Sequence, residues 1–144
     1  MNTNTAPTLY KDPLWVAALL CGPIAWYALV LADMLPGTLG IVLLVRFVLV
    51  QPVLEELVFR GLLQGWLREK LRWQWRGMTA ANLLTSIAFV VAHLVYQSPA
   101  WALAVFIPSL VFGYFRDRHD SVLPSIILHA WYNAGFFLLP NFMD

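Results

Sequence analysis

Three groups of polar side chains in this sequence are able to do chemistry, and each is set in apolar surroundings. Glu55 and Glu56 are adjacent, with Arg60 four residues after the second glutamate. On a helix Glu56 and Arg60 share a face and can pair, whereas Glu55 is turned from Glu56 by about 100°. A carboxyl held in low dielectric has its pKa raised toward neutrality, the tuning a general base requires, and Glu55 is the first catalytic candidate. His93 follows Phe89 by one helical turn, which sets an apolar wall beside an imidazole. His129 and Asn133 are again four apart and share a face. Imidazole accepts a proton, donates a hydrogen bond or binds a metal, and a carboxamide offers two N–H donors to an oxyanion. Such a set can activate a water and stabilise the oxyanion that its attack creates.

The elements that carry these residues belong in lipid. The chain has 144 residues, of which 60% are hydrophobic and only 12% charged. That is about half the charge of a soluble domain and more apolar surface than one small core can bury. A net charge of +1 excludes a nucleic-acid binder, and the single Cys21 excludes both a disulfide framework and a Cys-rich zinc site. Residues 1–13 form a polar tail without the basic start of a signal peptide. Residues 14–144 are expected to form one membrane domain.

Five spans are predicted: Leu14 to Met34, Thr38 to Phe59, Met78 to Tyr96, Ala100 to Phe115 and Val122 to Leu139. Gly61 to Gly77, with Arg68, Lys70, Arg72 and Arg76 among Trp66, Trp73 and Trp75, reads as an interfacial amphipathic elbow. Five crossings that start inside place seven of the nine basic residues on the cytoplasmic side. The expected fold is therefore an all-α integral membrane protein of about five transmembrane helices, N-in/C-out.

Charges inside a span cost roughly 2.5–3.5 kcal/mol each on insertion scales. Structural explanations exist: the Glu56–Arg60 pair can cement helix packing, and His93 can be an interhelical hydrogen-bonding group. Gly61 and Gly65 read as a packing groove, and Asn82, Thr85 and Ser86 as groups bonded between helices or to backbone. His119, in the polar stretch from Arg116 to Asp120, is expected to be solvated. Arg46, near the middle of its predicted span, requires a cavity, a carboxylate such as Glu55, or a lipid headgroup.

Taken together, Glu55-Glu56-Leu-Val-Phe-Arg60-Gly61, Phe89-Val-Val-Ala-His93 and His129-Ala-Trp-Tyr-Asn133 match EExxxR, FxxxH and HxxxN in order. The constellation, from about Gln51 to Asn133, resembles the CPBP family of intramembrane proteases, also called Abi or CAAX-protease-like. The resemblance implies a glutamate-type endopeptidase in which Glu55 and His93 activate water and His129 and Asn133 stabilise the oxyanion. Glu56 and Arg60 would then orient the first motif helix, with Phe89 as a supporting residue. It implies a membrane-anchored or C-terminally tagged protein substrate and a multi-pass location in a bacterial or archaeal cell membrane. The small size points to a sorting-tag-processing relative of the myxosortase type. Metal-free chemistry is expected. The alternatives are a zinc enzyme using one carboxylate and two histidines, a non-catalytic scaffold or immunity protein, and a small transporter.

The predicted boundaries carry one conflict. On straight helices Glu55 and His93 fall near opposite faces of the bilayer, about 20 Å apart in depth. A break at Pro52, a third helix that begins deeper than Met78, or strong tilt is required to bring them together. The catalytic reading expects His93 within about 6 Å of the Glu55 carboxylate, close enough to share a bridging water.

Overall fold

The computed structural model describes residues 7–143, so the start of the N-terminal tail and Asp144 lie outside the described residues. Among the described residues there are five principal helices: α1, Pro13–Leu31; α2, residues 41–70; α3, Ala80–His93; α4, Pro99–His119; and α5, Leu123–Leu138. A two-residue ribbon, β1 (Gln74–Trp75) against β2 (Met78–Thr79), joins α2 to α3. The architecture is thus helical, as composition requires. Two helices, α1 and α4, are long and apolar enough to cross a membrane, and α3 is a shorter apolar helix.

Local chemistry sets the ends. Asp12 accepts a hydrogen bond from the Leu14 N–H and is followed by Pro13 in the first turn of α1. Thr79 caps α3 through the Asn82 N–H at 3.0 Å, and Ser98 with Pro99 opens α4. Arg76 and Gly77 both have positive φ, 49° and 86°, as a two-residue turn between antiparallel strands requires. Asp120 stops α4 in the left-handed region.

Several predicted boundaries are corrected. The stretch from Gly61 to Gly77 is not a separate interfacial element: its first half continues α2 to Lys70, and its second half is the ribbon. Pro52 does not break α2. Instead two π-helical stretches, Arg46–Val50 and Leu57–Leu63, lie on either side of it. Residues 116–119 are the last turn of α4 rather than a loop, so His119 is helical. Arg46 is an exposed residue in the second turn of α2, its guanidinium 5.5 Å from the Phe47 ring, and not a mid-span charge.

The chain divides into two compact units, one from residues up to Leu54 together with Ile127 onward, the other Glu55–Ile126. In the first, α5 is tied to α1 by side chains that reach backbone carbonyls. Trp131 Nε1 donates to Leu19, Tyr132 Oη to Ala18, and Trp26 Nε1 to the Tyr132 carbonyl. Gly135 lies directly against the Trp26 indole, where a Cβ has no space.

In the second unit, Phe89, Val90, Phe112 and Phe115 form the apolar core. Polar side chains buried among them reach across: Asn82 Nδ2 donates to the Leu110 carbonyl and Gln64 Nε2 to that of Gly113. Ser86 bonds Asn82 one turn earlier on α3, so two of the three expected small polar groups find partners. Thr85 Oγ1, also buried, has none among the described residues. Gly61 and Gly65 face Val122 and Arg116 without crowding, the packing surface expected of them.

Candidate active site

The second unit positions Glu55, Glu56, Arg60, Phe89 and His93. Glu56 and Arg60 are both fully buried, and Arg60 Nε lies 3.2 Å from Glu56 Oε2. The N–H is not aimed along that line, so the pair acts through charge rather than as a formed hydrogen bond. Glu55, next in sequence, is only half-buried. The two carboxylates thus differ as the 100° offset predicts: one is locked into the core, the other lies on a different face.

Arg60 is held from three further directions. Nη2 donates to the Ser109 hydroxyl at 2.6 Å and to the Ser109 carbonyl at 2.9 Å. The guanidinium carbon lies 4.6 Å from the Phe89 ring centre and 5.7 Å from that of Phe112, the geometry of cation–π contacts. The Arg60 carbonyl accepts from Arg116 Nε at 3.2 Å. It sits in the π-helical stretch, where the usual backbone pattern is interrupted and a carbonyl is open to an outside donor.

Phe89 joins this cluster to His93. Its ring meets Phe59 edge-on at 5.0 Å and lies 4.3 Å from the imidazole centre. Its carbonyl accepts a hydrogen bond from His93 Nδ1 at 2.9 Å. Because a carbonyl only accepts, Nδ1 carries the proton, and in the neutral ring Nε2 keeps its lone pair. His93 is the last residue of α3 and is half-buried, so this nitrogen can meet a ligand.

The helix pair also answers the depth conflict. Glu55 precedes the end of α2 by fifteen residues, and His93 follows the start of α3 by thirteen. At 1.5 Å per residue the two stand about 22 and 20 Å from the ribbon. The Phe59–Phe89 contact confirms that alignment, because Glu55 lies one turn beyond Phe59 and His93 one turn beyond Phe89. The difference from the expected span lies in α2, which runs on past Phe59 to Lys70.

In the first unit, His129 is buried, with 6% of its surface exposed, and Asn133 is half-buried. Asn133 Nδ2 donates to the Phe47 carbonyl at 2.9 Å. Phe47 lies in the other π-helical stretch, so both π turns of α2 present a carbonyl to a neighbouring helix. One of the two carboxamide protons is engaged there.

Sequence reading missed Ser109, a polar residue in the apolar part of α4 that precedes Arg116. No spacing in the sequence marks it; in the fold Ser109 and Gly113, four apart, meet Arg60 and Gln64, also four apart. Among the described residues no group of three or more His, Cys, Asp or Glu is arranged to hold a metal ion.

Comparison with known proteins places these residues in a family context. The family model described as type II CAAX prenyl endopeptidase Rce1-like matches residues 36–135, which contain all three motifs. A protein of Escherichia coli described as an uncharacterized 24.3 kDa protein is 31% identical over 90 residues, 62% of this chain. The chain spans 40% of that relative's length. No solved structure matches.

Proposed function

Because the chain belongs to the Rce1-like family of type II CAAX prenyl endopeptidases, a family of membrane-embedded proteases, we propose that it cuts a peptide bond near the C-terminus of a membrane-anchored protein with an activated water. The observation that carries this reading is the alignment of Glu55 with a histidine whose Nε2 is left as an acceptor by the Nδ1–Phe89 hydrogen bond.

In the proposed reaction the Glu55 carboxylate takes a proton from water as the water oxygen attacks the scissile carbonyl carbon. His93, fixed by Phe89, orients that water through Nε2. The tetrahedral oxyanion receives hydrogen bonds from Asn133 and His129, roles that rest on the HxxxN match. The proton held by Glu55 then passes to the amide nitrogen and the C–N bond breaks; the new carboxylic acid gives its remaining proton to the departing amine, and an ammonium and a carboxylate leave. Glu56 and Arg60 do no chemistry; they fix the α2 face that carries Glu55.

The proposed substrate is a lipidated or membrane-inserted C-terminal tail, and a sorting-tag substrate of the myxosortase type is one such tail. The proposed chemistry is metal-free. The test is cleavage of a lipidated tail peptide in proteoliposomes with the parent, His93→Ala and Asn133→Ala. The parent cleaves, His93→Ala is inactive, and Asn133→Ala loses about 10²–10³ in kcat, the range for removing one oxyanion donor. Inactivation by chelator and recovery with stoichiometric zinc would replace this reading with the zinc enzyme. Full activity of His93→Ala would remove His93 from the mechanism, and a folded parent that cleaves no tail would leave the non-catalytic scaffold.

A further inference from the structure

We propose that Arg116, near the end of α4, is a positioning residue for the reaction: by donating to the Arg60 carbonyl it holds open the π turn of α2 that sets the face on which Glu55 lies. This rests on the reading of Glu55 as the base.

The backbone supplies the first observation. In an α-helix the Gln64 N–H bonds the carbonyl four residues back, that of Arg60. In the π-helical stretch Leu57–Leu63 it bonds the Phe59 carbonyl instead, five residues back. The bypassed Arg60 carbonyl accepts from Arg116 Nε at 3.2 Å. The same exchange of a backbone donor for a side chain occurs at the other π turn, within the first unit. There the Gln51 N–H bonds the Arg46 carbonyl, and the bypassed Phe47 carbonyl accepts from Asn133 Nδ2 at 2.9 Å. Arg116 is also fixed in place: Nη1 donates to Asp120 at 3.1 Å, and Nη2 is what a Cβ at Gly65 would meet, at 3.9 Å. Its guanidinium therefore lies along α2 beside the turn it caps.

The turn matters because of what lies on either side of it. After it, α2 is clamped to α4 by Gln64 on the Gly113 carbonyl and by Arg68 on Asp117 and Asp120. Before it come Glu55 and Glu56. Arg60 is fully buried, so without Arg116 its carbonyl recovers a donor most readily from the Gln64 N–H, which closes the π turn to an α turn. A π turn holds one residue more than an α turn, so closure against the fixed clamps rotates the preceding segment by about 100°. That is the angle that separates Glu55 from Glu56. Glu55 leaves its present face and with it the water it must deprotonate, so the loss falls on kcat rather than KM.

The experiment measures kcat and KM for cleavage of a lipidated tail peptide in proteoliposomes, with Tm recorded, for the parent, Arg116→Gln, Arg116→Met, Arg116→Lys and Asp120→Asn. Glutamine sets an N–H donor at the place of the arginine Nε without the charge; methionine and lysine set a methyl and a methylene there, and lysine keeps the charge. The proposal predicts that Arg116→Met and Arg116→Lys each lower kcat about tenfold, equivalent to roughly 1.4 kcal/mol of barrier, with KM close to the parent's. Arg116→Gln keeps kcat within about twofold of the parent, because the donor is retained, and Asp120→Asn is parent-like. Should Arg116→Met not fold, the contrast between glutamine and lysine decides alone. Parent-like kcat in Arg116→Met overturns the proposal and leaves the protease reading intact. An active lysine variant beside an inactive glutamine variant overturns it, since that pattern marks charge, and equal loss in all three marks packing and overturns it too. A loss in Asp120→Asn as large as that in Arg116→Lys assigns the effect to the surface ion pair and overturns it as well. A parent that cleaves no tail while remaining folded overturns the protease reading, and this proposal with it.

Discussion

Glu55 and Glu56 show how far two adjacent, chemically identical side chains diverge once a helix turns them apart. Glu56 is sealed in the core against Arg60, while Glu55 is half-buried on another face. Removing one partner of a buried pair strands the other charge, at a cost of roughly 3–5 kcal/mol. Glu56→Gln is therefore expected to lower chemical-denaturation stability by about that amount, and Glu55→Gln by less than about 1 kcal/mol, because a half-buried carboxylate keeps part of its solvation. Equal losses in the two variants would contradict the division of roles. This pairing was legible from the four-residue spacing. Ser109 was not: a lone serine in an apolar helix has many ordinary uses, and only the fold shows that it meets Arg60. The tautomer of His93 was also hidden, since no spacing rule tells which backbone carbonyl an imidazole will find.

At the scale of elements, the main misreading was the end of α2. Arg68 and Lys70 looked like the start of an interfacial segment, yet helical backbone runs past Gly65 to Lys70. It does so because Arg68 is anchored on α4, through Asp117 at 3.3 Å and Asp120 at 2.8 Å, with Arg116 also on Asp120 at 3.1 Å. The two arginines hold the Asp120 carboxyl below the ordinary carboxylate range, chiefly through their hydrogen bonds. A depressed folded value means that this stabilisation is complete above the unfolded value, near pH 4, and is lost as pH falls through the folded value. The group is exposed, so the contribution is modest, on the order of 0.2–1 kcal/mol. Asp120→Asn is expected to unfold slightly more easily than the parent at pH 7 and to match it at pH 2. A gap that widens toward acid would contradict the sign. Helix contacts give a sharper test. A Cβ at Gly113 would overlap the Asn82 carboxamide, whereas one at Gly65 meets nothing nearer than 3.9 Å. Gly113→Ala should lower Tm by several degrees, about 1–3 kcal/mol of overpacking, while Gly65→Ala leaves it unchanged.

For the whole molecule, scarcity of charge was the most informative feature of the sequence. It pointed to the membrane, and it singled out Glu55, Glu56 and Arg60 as charges that lipid does not tolerate without cause. Two helices meet the length and hydropathy needed to span; the proposed topology has all five crossing, with the N-terminus and the ribbon inside. With Cys21 replaced by serine, cysteines at Lys11 and Arg72 are predicted to react with an impermeant maleimide only from the inner side. A cysteine at Gly37, where nothing lies within 4 Å, reacts only from the outer side. Labelling of Arg72→Cys from outside would reverse the orientation. The central claim concerns the base, and the most direct measurement is the cleavage rate of Glu55→Gln beside the parent in proteoliposomes, on a lipidated tail peptide, with equal Tm verified. The account predicts a cut by the parent and at least about a 10³-fold loss in the variant, since an amide cannot take a proton from water. Parent-like cleavage by the folded Glu55→Gln variant would contradict it.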